Sequence, residues 1–490
     1  MLTLSRRSFI AAGGVGLPFW LWFKRYAAAE TGPVVRYDVL SPDGAKMLAT
    51  YEKAVKQMGN TSAGDPRSWL FQWYTHCVKR TATKQSELAR IYPASGDPQR
   101  ALADTMWNTC QAHFQPQYEK FFLPWHRMYV FFLERMIRQV SGEPTFTLPY
   151  WNYSTAEPGA HGVLPSQFRL STSPLFRRDR NADANKGLPI DSRDPGALNL
   201  DSLREPRYEP QGAAPGFCMA LDRGLHGSVH VLVGNRVGMG DVPWAANDPI
   251  FWLHHCNIDR LWASWNRAGG SNPTDQVWLL QKYAFADERG NRVDPVVKDF
   301  VETEKLGYTY DRFEAAPADL AALRAAPVPR QTRMLALKAG GEVALGAGPV
   351  RVTLEPPPGP NEKRLPFAAQ VASLGPGQRL FLLLKKLRAA AQPGVLYHVY
   401  LNLPSAVPPV VTHPNHVGAF SFFDSTEHGD HGSLEGQEAW PFVAFDVTAV
   451  VSRLREEAPH DAAPSVTIAA PSQPAAEAHP VVGELALAAQ

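Results

Sequence analysis

The stretch NDPIFWLHHCNIDRLW, Asn247 to Trp262, sets two adjacent histidines, His254 and His255, inside a run that reads as a buried helix. Asp248 can cap a helix start and Pro249 suits a first turn, so the apolar residues that follow enter the core as a helix rather than a loop. Neighbouring helix positions point about 100° apart, so two consecutive imidazoles do not serve one structural purpose. One of them is expected to bind something.

Working outward, LHGSVHVLV places His226 and His230 at i and i+4, on one helix face and within reach of a common ion. His255 would complete a three-histidine set. His126 lies in FFLPWHRMYVFFLE, where an imidazole without a partner would cost about 1–3 kcal/mol. His76, at the end of WLFQWYTHC, and His113, in CQAHF, can join it as a second set. Sites for paired zinc, iron or manganese usually carry bridging carboxylates, whereas all-imidazole coordination suits copper. The expected cofactor is therefore a pair of copper ions.

The surrounding pattern has two parts. AKMLATYEKAVKQM, SWLFQWYTHCV, FFLPWHRMYVFFLERMIRQV, LHGSVHVLV and PIFWLHHCNIDRLWASW have helical periodicity, while residues 154–215 are rich in Pro, Gly, Asp and Asn and read as a long surface wrap. After about residue 327, short apolar runs bounded by Pro and Gly, such as QRLFLLLKKL, GVLYHVYLNLP, HVGAFSFFD, WPFVAFDVTAVV and SVTIAAP, predict strands of a sandwich. The fold class is a mainly α domain, a four-helix bundle with long loops, followed by a β-sandwich-like domain. The boundaries expected are 30–326 for the helical domain, 327–468 for the β-rich domain and 469–490 for a loosely ordered Ala/Pro-rich tail.

Composition excludes some partners. A formal net charge of +2, with Lys and Arg scattered, gives no basic track for nucleic acid. Four cysteines, Cys77, Cys110, Cys218 and Cys256, are too few for a disulfide framework in 490 residues. Residues 1–29 contain Arg6 and Arg7, a short apolar region and the small residues Ala27 to Ala29, which match a twin-arginine export signal. The expected location is periplasmic or extracellular, with no stable membrane anchor once the signal is removed. The sequence does not specify an oligomeric state.

FFLPWHRMYVFFLE and DPIFWLHHCNIDRLW together resemble the two copper signatures of the tyrosinase and polyphenol oxidase family, a type 3 copper group. PTFTLPYWNYS is similar to plant polyphenol oxidases in particular. The resemblance implies oxidation of small phenols, o-diphenols above all and o-aminophenols as further substrates, to o-quinones, with dioxygen as co-substrate. It assigns His76, His113 and His126 to one copper and His226, His230 and His255 to the other. His254 is then left to pack beside the site, and Asp259, one turn on, to orient a ligand ring. The position of Asp222 is one where relatives often carry a glutamate that holds a water. Gly227 stands where relatives that hydroxylate monophenols efficiently often have asparagine, so diphenol oxidation is expected to dominate. Arg80 replaces the cysteine that plant enzymes link to a histidine, and Cys110 becomes the candidate for a thioether to His113. YHVYLNLP, HVGAFSFFD and FVAFDVTAVV are similar to the C-terminal domain that shields the plant enzymes and keeps them latent. The alternatives are a true tyrosinase with full monophenolase activity and a hemocyanin-like oxygen-binding protein without catalysis.

Overall fold

The computed structural model describes residues 32–94, 96–111, 120–325, 332–337, 341–356, 367–375, 377–423, 425–426, 442–457 and 463–490. The export signal expected at 1–29, and His113, lie outside these.

Two long helices make the centre of the first domain, Phe122–Ser141 and Ile250–Arg267, with Pro42–Asn60 and Trp69–His76 packed around them. Local chemistry fixes their ends. Ser41 and Ser68 cap the two outer helices by accepting from Gly44 N and Phe71 N. Pro124 sits in the first turn of Phe122–Ser141, and Gly142 closes that helix at φ 71°, a left-handed conformation that suits glycine. Asp248 accepts from Ile250 N at 3.1 Å, as its capping position predicts, and Arg180 grips the same carboxylate through two bonds of 2.7 Å. Tyr129 packs on Trp252 with ring centroids 4.3 Å apart, an aromatic contact worth about 0.5–1.5 kcal/mol beyond its buried area. Two short helices, Lys84–Ile91 and Pro98–Met106, were not expected; each begins at a capping side chain, Thr83 and Asp97.

Asp259 departs from the expectation. Among the described residues its buried carboxylate has no hydrogen bond or ion pair with an imidazole. It accepts from Arg127 Nε, from Arg36 Nη1 at 3.1 Å, and from the Tyr308 and Tyr310 hydroxyls at 2.7 and 2.5 Å. Arg36 also donates to Glu134 at 2.8 Å, and its strand, Val34–Arg36, pairs in parallel with Tyr308–Tyr310. Asp259 therefore fastens the two central helices to each other and to this two-stranded ribbon.

The second domain stacks two antiparallel sheets. One has the order His416–Phe420, Tyr397–Leu401, Ser465–Ala469, Val350–Thr353. The other has the order Phe442–Asp446, Leu380–Arg388, Val481–Ala489, Arg333–Leu337, with Val343–Ala344 also on Val481–Ala489. The tail expected at 469–490 is thus a correction: Val481–Ala489 is an interior strand, its residues Leu485 to Ala489 buried between two neighbours. Small alanines let it pack closely there. The run DVTAVV is a second correction, because after the strand Phe442–Asp446 the Asp446 carboxylate accepts from Thr448 N and starts the helix Thr448–Glu457.

Burial opposes the charge on Asp259, but Arg127 and Arg36 outweigh it and hold the carboxyl below its ordinary range; Glu134 is depressed in the same way against its own burial by Arg36 and Arg138. Removing the Asp259 charge leaves buried Arg127 without a carboxylate partner and Arg36 with Glu134 alone, so Asp259→Asn is expected to lower stability by about 3–5 kcal/mol in urea unfolding. A depressed carboxyl contributes stability that is full above its unfolded pKa of about 4 and is lost as pH falls through the lower folded value. The wild-type chain should therefore lose stability more steeply than Asp259→Asn below about pH 4.

Candidate metal centre

The turn of helix that opens on Asp222 is wound as a π-turn, Asp222–His226, before the regular helix Gly227–Val233 begins. Single π-turns recur at functional sites because they re-aim side chains. Here the turn brings Asp222 Oδ1 to 2.9 Å from His226 Nδ1, and that nitrogen also lies 3.3 Å from the Asp222 carbonyl. Asp222, read from the sequence as a residue that holds a water, thus also stands against a ring. His230 Nδ1 donates to Met239 O at 2.8 Å, and His126 Nδ1 to Phe122 O at 2.9 Å. Carbonyls only accept, so the protons of His126 and His230 sit on Nδ1, which leaves the Nε2 lone pairs as donors for a metal.

Two groups of donor atoms result, each within 4.8 Å of one another: His226, His230, His254 and His255 in one, His76, Cys110 and His126 in the other. They meet where His126 stacks on His255, centroids 4.2 Å apart and rings 8° from parallel. Four imidazoles rather than three converge in the first group. His254 packs 5.3 Å from His226 and 5.0 Å from His230, and its Nδ1 lies 3.1 Å from the Tyr153 hydroxyl. Burial, reinforced by the neighbouring imidazoles, pushes His254 and His255 well below the ordinary histidine range, so both are neutral.

Sequence reasoning missed a residue that reaches this group from the other domain. Phe423, buried, lies flat on His230 with centroids 4.1 Å apart and meets His226 edge-on at 5.8 Å. Gln392 Nε2 holds its carbonyl at 2.7 Å. At Gly227 a Cβ would stand 2.9 Å from Ser421 Oγ and 3.8 Å from Phe423 Cβ, so the absence of a side chain there lets this segment approach. Arg80 pairs with buried Asp241, Nε to Oδ2 3.0 Å, and so ties the end of Trp69–His76 to the loop that carries Met239. None of the four cysteines is in a disulfide.

Comparison with known proteins decides the family. The common central domain of tyrosinase matches residues 66–195 and 197–268, and the polyphenol oxidase middle domain matches 272–319. A tyrosinase of Hahella sp. is 29% identical over 436 residues, 84% of this chain and 89% of that protein. The chain belongs to the tyrosinase and polyphenol oxidase family. A polyphenol oxidase of Vicia faba is 30% identical over 327 residues, 59% of this chain and 48% of that protein, so the chain spans about half the length of that relative. The structure of latent apple tyrosinase shares the fold, with a TM-score of 0.60 at 21% identity over 94% of this chain and 98% of that one.

This family of oxidoreductases implies a pair of copper ions, and the donors fit them. Among the described residues neither nitrogen of His255 and not Nε2 of His254 has a hydrogen-bond partner, an arrangement that a metal would relieve. Neutral imidazoles with a thiol suit copper, and no carboxylate joins either group of donors among the described residues. A carboxylate on a ligand's Nδ1 raises that ring's basicity, so Asp222→Ala is expected to weaken copper binding about 10–100-fold by chelator competition, with the fold intact by circular dichroism.

Proposed function

We propose that the protein oxidises o-diphenols to o-quinones with dioxygen, and that its C-terminal domain keeps it latent. The observation that carries this is Phe423, an aromatic ring laid on His230 in the middle of the imidazole cluster. It stands where the ring of a phenol would have to lie to reach the same ligands. A copper pair, when bound, supplies the exchange of electrons with dioxygen and the Lewis acidity that favours phenolate. Each diphenol gives up two electrons and two protons, so two diphenols reduce one dioxygen to two waters.

The chain's own residues prepare that site. His76, His113 and His126 would hold one ion, and His226, His230 and His255 the other, with His254 packed beside them on Tyr153. Carbonyl bonds on His126 and His230, and Asp222 on His226, fix the rings in place. Phe251, 4.2 Å from His255 and 5.0 Å from His76, and Phe122, 4.7 Å from His226, wall the cluster from water. Export by the twin-arginine route, which carries folded proteins, suits a chain that carries copper. Among the described residues no helix is long and apolar enough to cross a membrane.

The likeness to the Hahella tyrosinase favours a second reading, a true tyrosinase that also hydroxylates monophenols. Position 227 separates the two, but in the intact chain any side chain there meets Ser421. The test belongs in protein cleaved between Ala325 and Arg333. There Gly227→Asn is expected to raise the tyramine to catechol rate ratio, and an unchanged ratio would remove glycine as the reason for a diphenol preference. In the uncut chain, Phe423→Ala is expected to raise catechol oxidation at least about tenfold, because it frees the fraction of molecules able to bind substrate. If uncut Phe423→Ala protein stays as slow as wild type while cleaved protein is active, Phe423 is not what blocks the site.

A further inference from the structure

Where the second domain meets the long wrap of the first, the described residues bring two histidines and a carboxylate together. The strand pairing that places them is irregular. Phe420, Ala419 and Gly418 stand opposite Tyr397, His398 and Val399, and regular continuation would put His416 opposite Leu401, on the face of the sheet away from His398. A bulge between His416 and Gly418 sets His416 opposite Tyr400 instead, which re-aims it to the face of His398. Buried Asn415 fixes that register by donating from Nδ2 to Leu401 O and Asn402 O, each at 2.9 Å. His398 Nε2 then lies 2.9 Å from Oδ1 of Asp194, a buried carboxylate in the wrap. Carboxylates accept, so the ring proton is on Nε2, and Nδ1 of the neutral ring is a lone pair. It faces His416 Nε2 at 3.0 Å, and His416 is half-buried, within reach of solvent. Burial first and His398 second push His416 down to about 4, against a backbone hydrogen bond at Gly418, so at neutral pH the pair shares no extra proton.

We propose that His398 and His416 bind a zinc ion at the domain boundary, separate from the copper pair, with Asp194 bracing His398 from the other domain and waters completing the shell. Imidazole suits zinc, and a ligating histidine commonly gives its other N–H to a carboxylate, as His398 does to Asp194. Without an ion, Nε2–H of His416 donates to the His398 lone pair; with the His416 proton on Nδ1, both facing nitrogens are donors. Two nitrogens on a tetrahedral zinc stand about 3.3 Å apart, so the pair has only to open by a few tenths of an ångström. Asp194 belongs to the first domain and strengthens the site only while the second domain is docked. Coupling of this kind is reciprocal, so zinc holds the second domain down. That consequence rests on the latency proposed above, while the site itself does not.

The test uses the full-length, copper-loaded chain, so that added zinc meets copper ligands already occupied. Zinc affinity is read by competition with a chromophoric chelator, with copper content measured before and after. Wild type is expected to bind one zinc ion, His416→Ala and His416→Gln to lose about tenfold or more of that affinity, and Asp194→Asn to lose about 10–100-fold. No zinc bound, or equal affinity in wild type and both His416 variants, would overturn the site. In the uncut chain zinc is expected to slow catechol oxidation by wild type but not by His416→Ala, and the effect should vanish after cleavage between Ala325 and Arg333. Zinc that binds through His416 yet leaves the uncut rate unchanged would overturn the coupling. If uncut and cleaved chains oxidise catechol equally fast without zinc, the latency reading falls, and the affinities still decide the site.

Discussion

A single carboxylate, Asp259, holds the geometry on which the site depends. It lies one turn beyond His255 on the same face of Ile250–Arg267, and Arg127, which it binds, follows His126 directly on Phe122–Ser141. Fixing Asp259 to Arg127 therefore fixes how far His255 and His126 stand apart, and they stack at 4.2 Å. Arg36, Tyr308 and Tyr310 fill the remaining sites on the carboxylate, so a charge that would be prohibitive alone in the core becomes a fixed joint. An ion network one helical turn away from the imidazoles joins the two helices that carry them.

The same joint explains why the imidazoles can be gathered so densely. Burial beside other imidazoles pushes His254 and His255 well below the ordinary histidine range, and neutrality is what a metal ligand requires. Three of the imidazoles have one nitrogen committed to the protein, through Phe122 O, Met239 O and Asp222. The second domain then closes the open side. His398 Nε2 meets Asp194 at 2.9 Å, Arg379 meets Glu205 at 3.1 Å, and Gln490 Oε1 accepts from Ala213 N and Ala214 N; these contacts seat the sandwich on the long wrap of residues 154–215. That wrap is the docking surface for the domain that carries Phe423.

Much of this was legible in the sequence, and the parts that were not share a cause. The helical runs around His76, His126 and His255, the i, i+4 pair His226 and His230, and the change to short strands all rest on local periodicity, which a single sequence displays. Asp259 was misread because its partners Arg36, Tyr308 and Tyr310 lie far away in the chain, and only the helical neighbour His255 was in view. The approach of Asp222 to His226 was not legible, because it depends on the helix there being wound as a π-turn. Val481–Ala489 was hidden by its alanines, since composition says nothing about burial between two strands. Phe423 looked like one more aromatic of a β-run, and nothing local marks the one that crosses to another domain.

Dioxygen consumption with catechol, by copper-loaded chain before and after cleavage between Ala325 and Arg333, tests the central claim most directly. The account predicts slow uptake by the intact chain and a marked rise on cleavage, with copper content unchanged. Equal uptake before and after would contradict the claim that the C-terminal domain blocks the copper site, and no uptake from either form, with the copper pair bound, would contradict phenol oxidation itself.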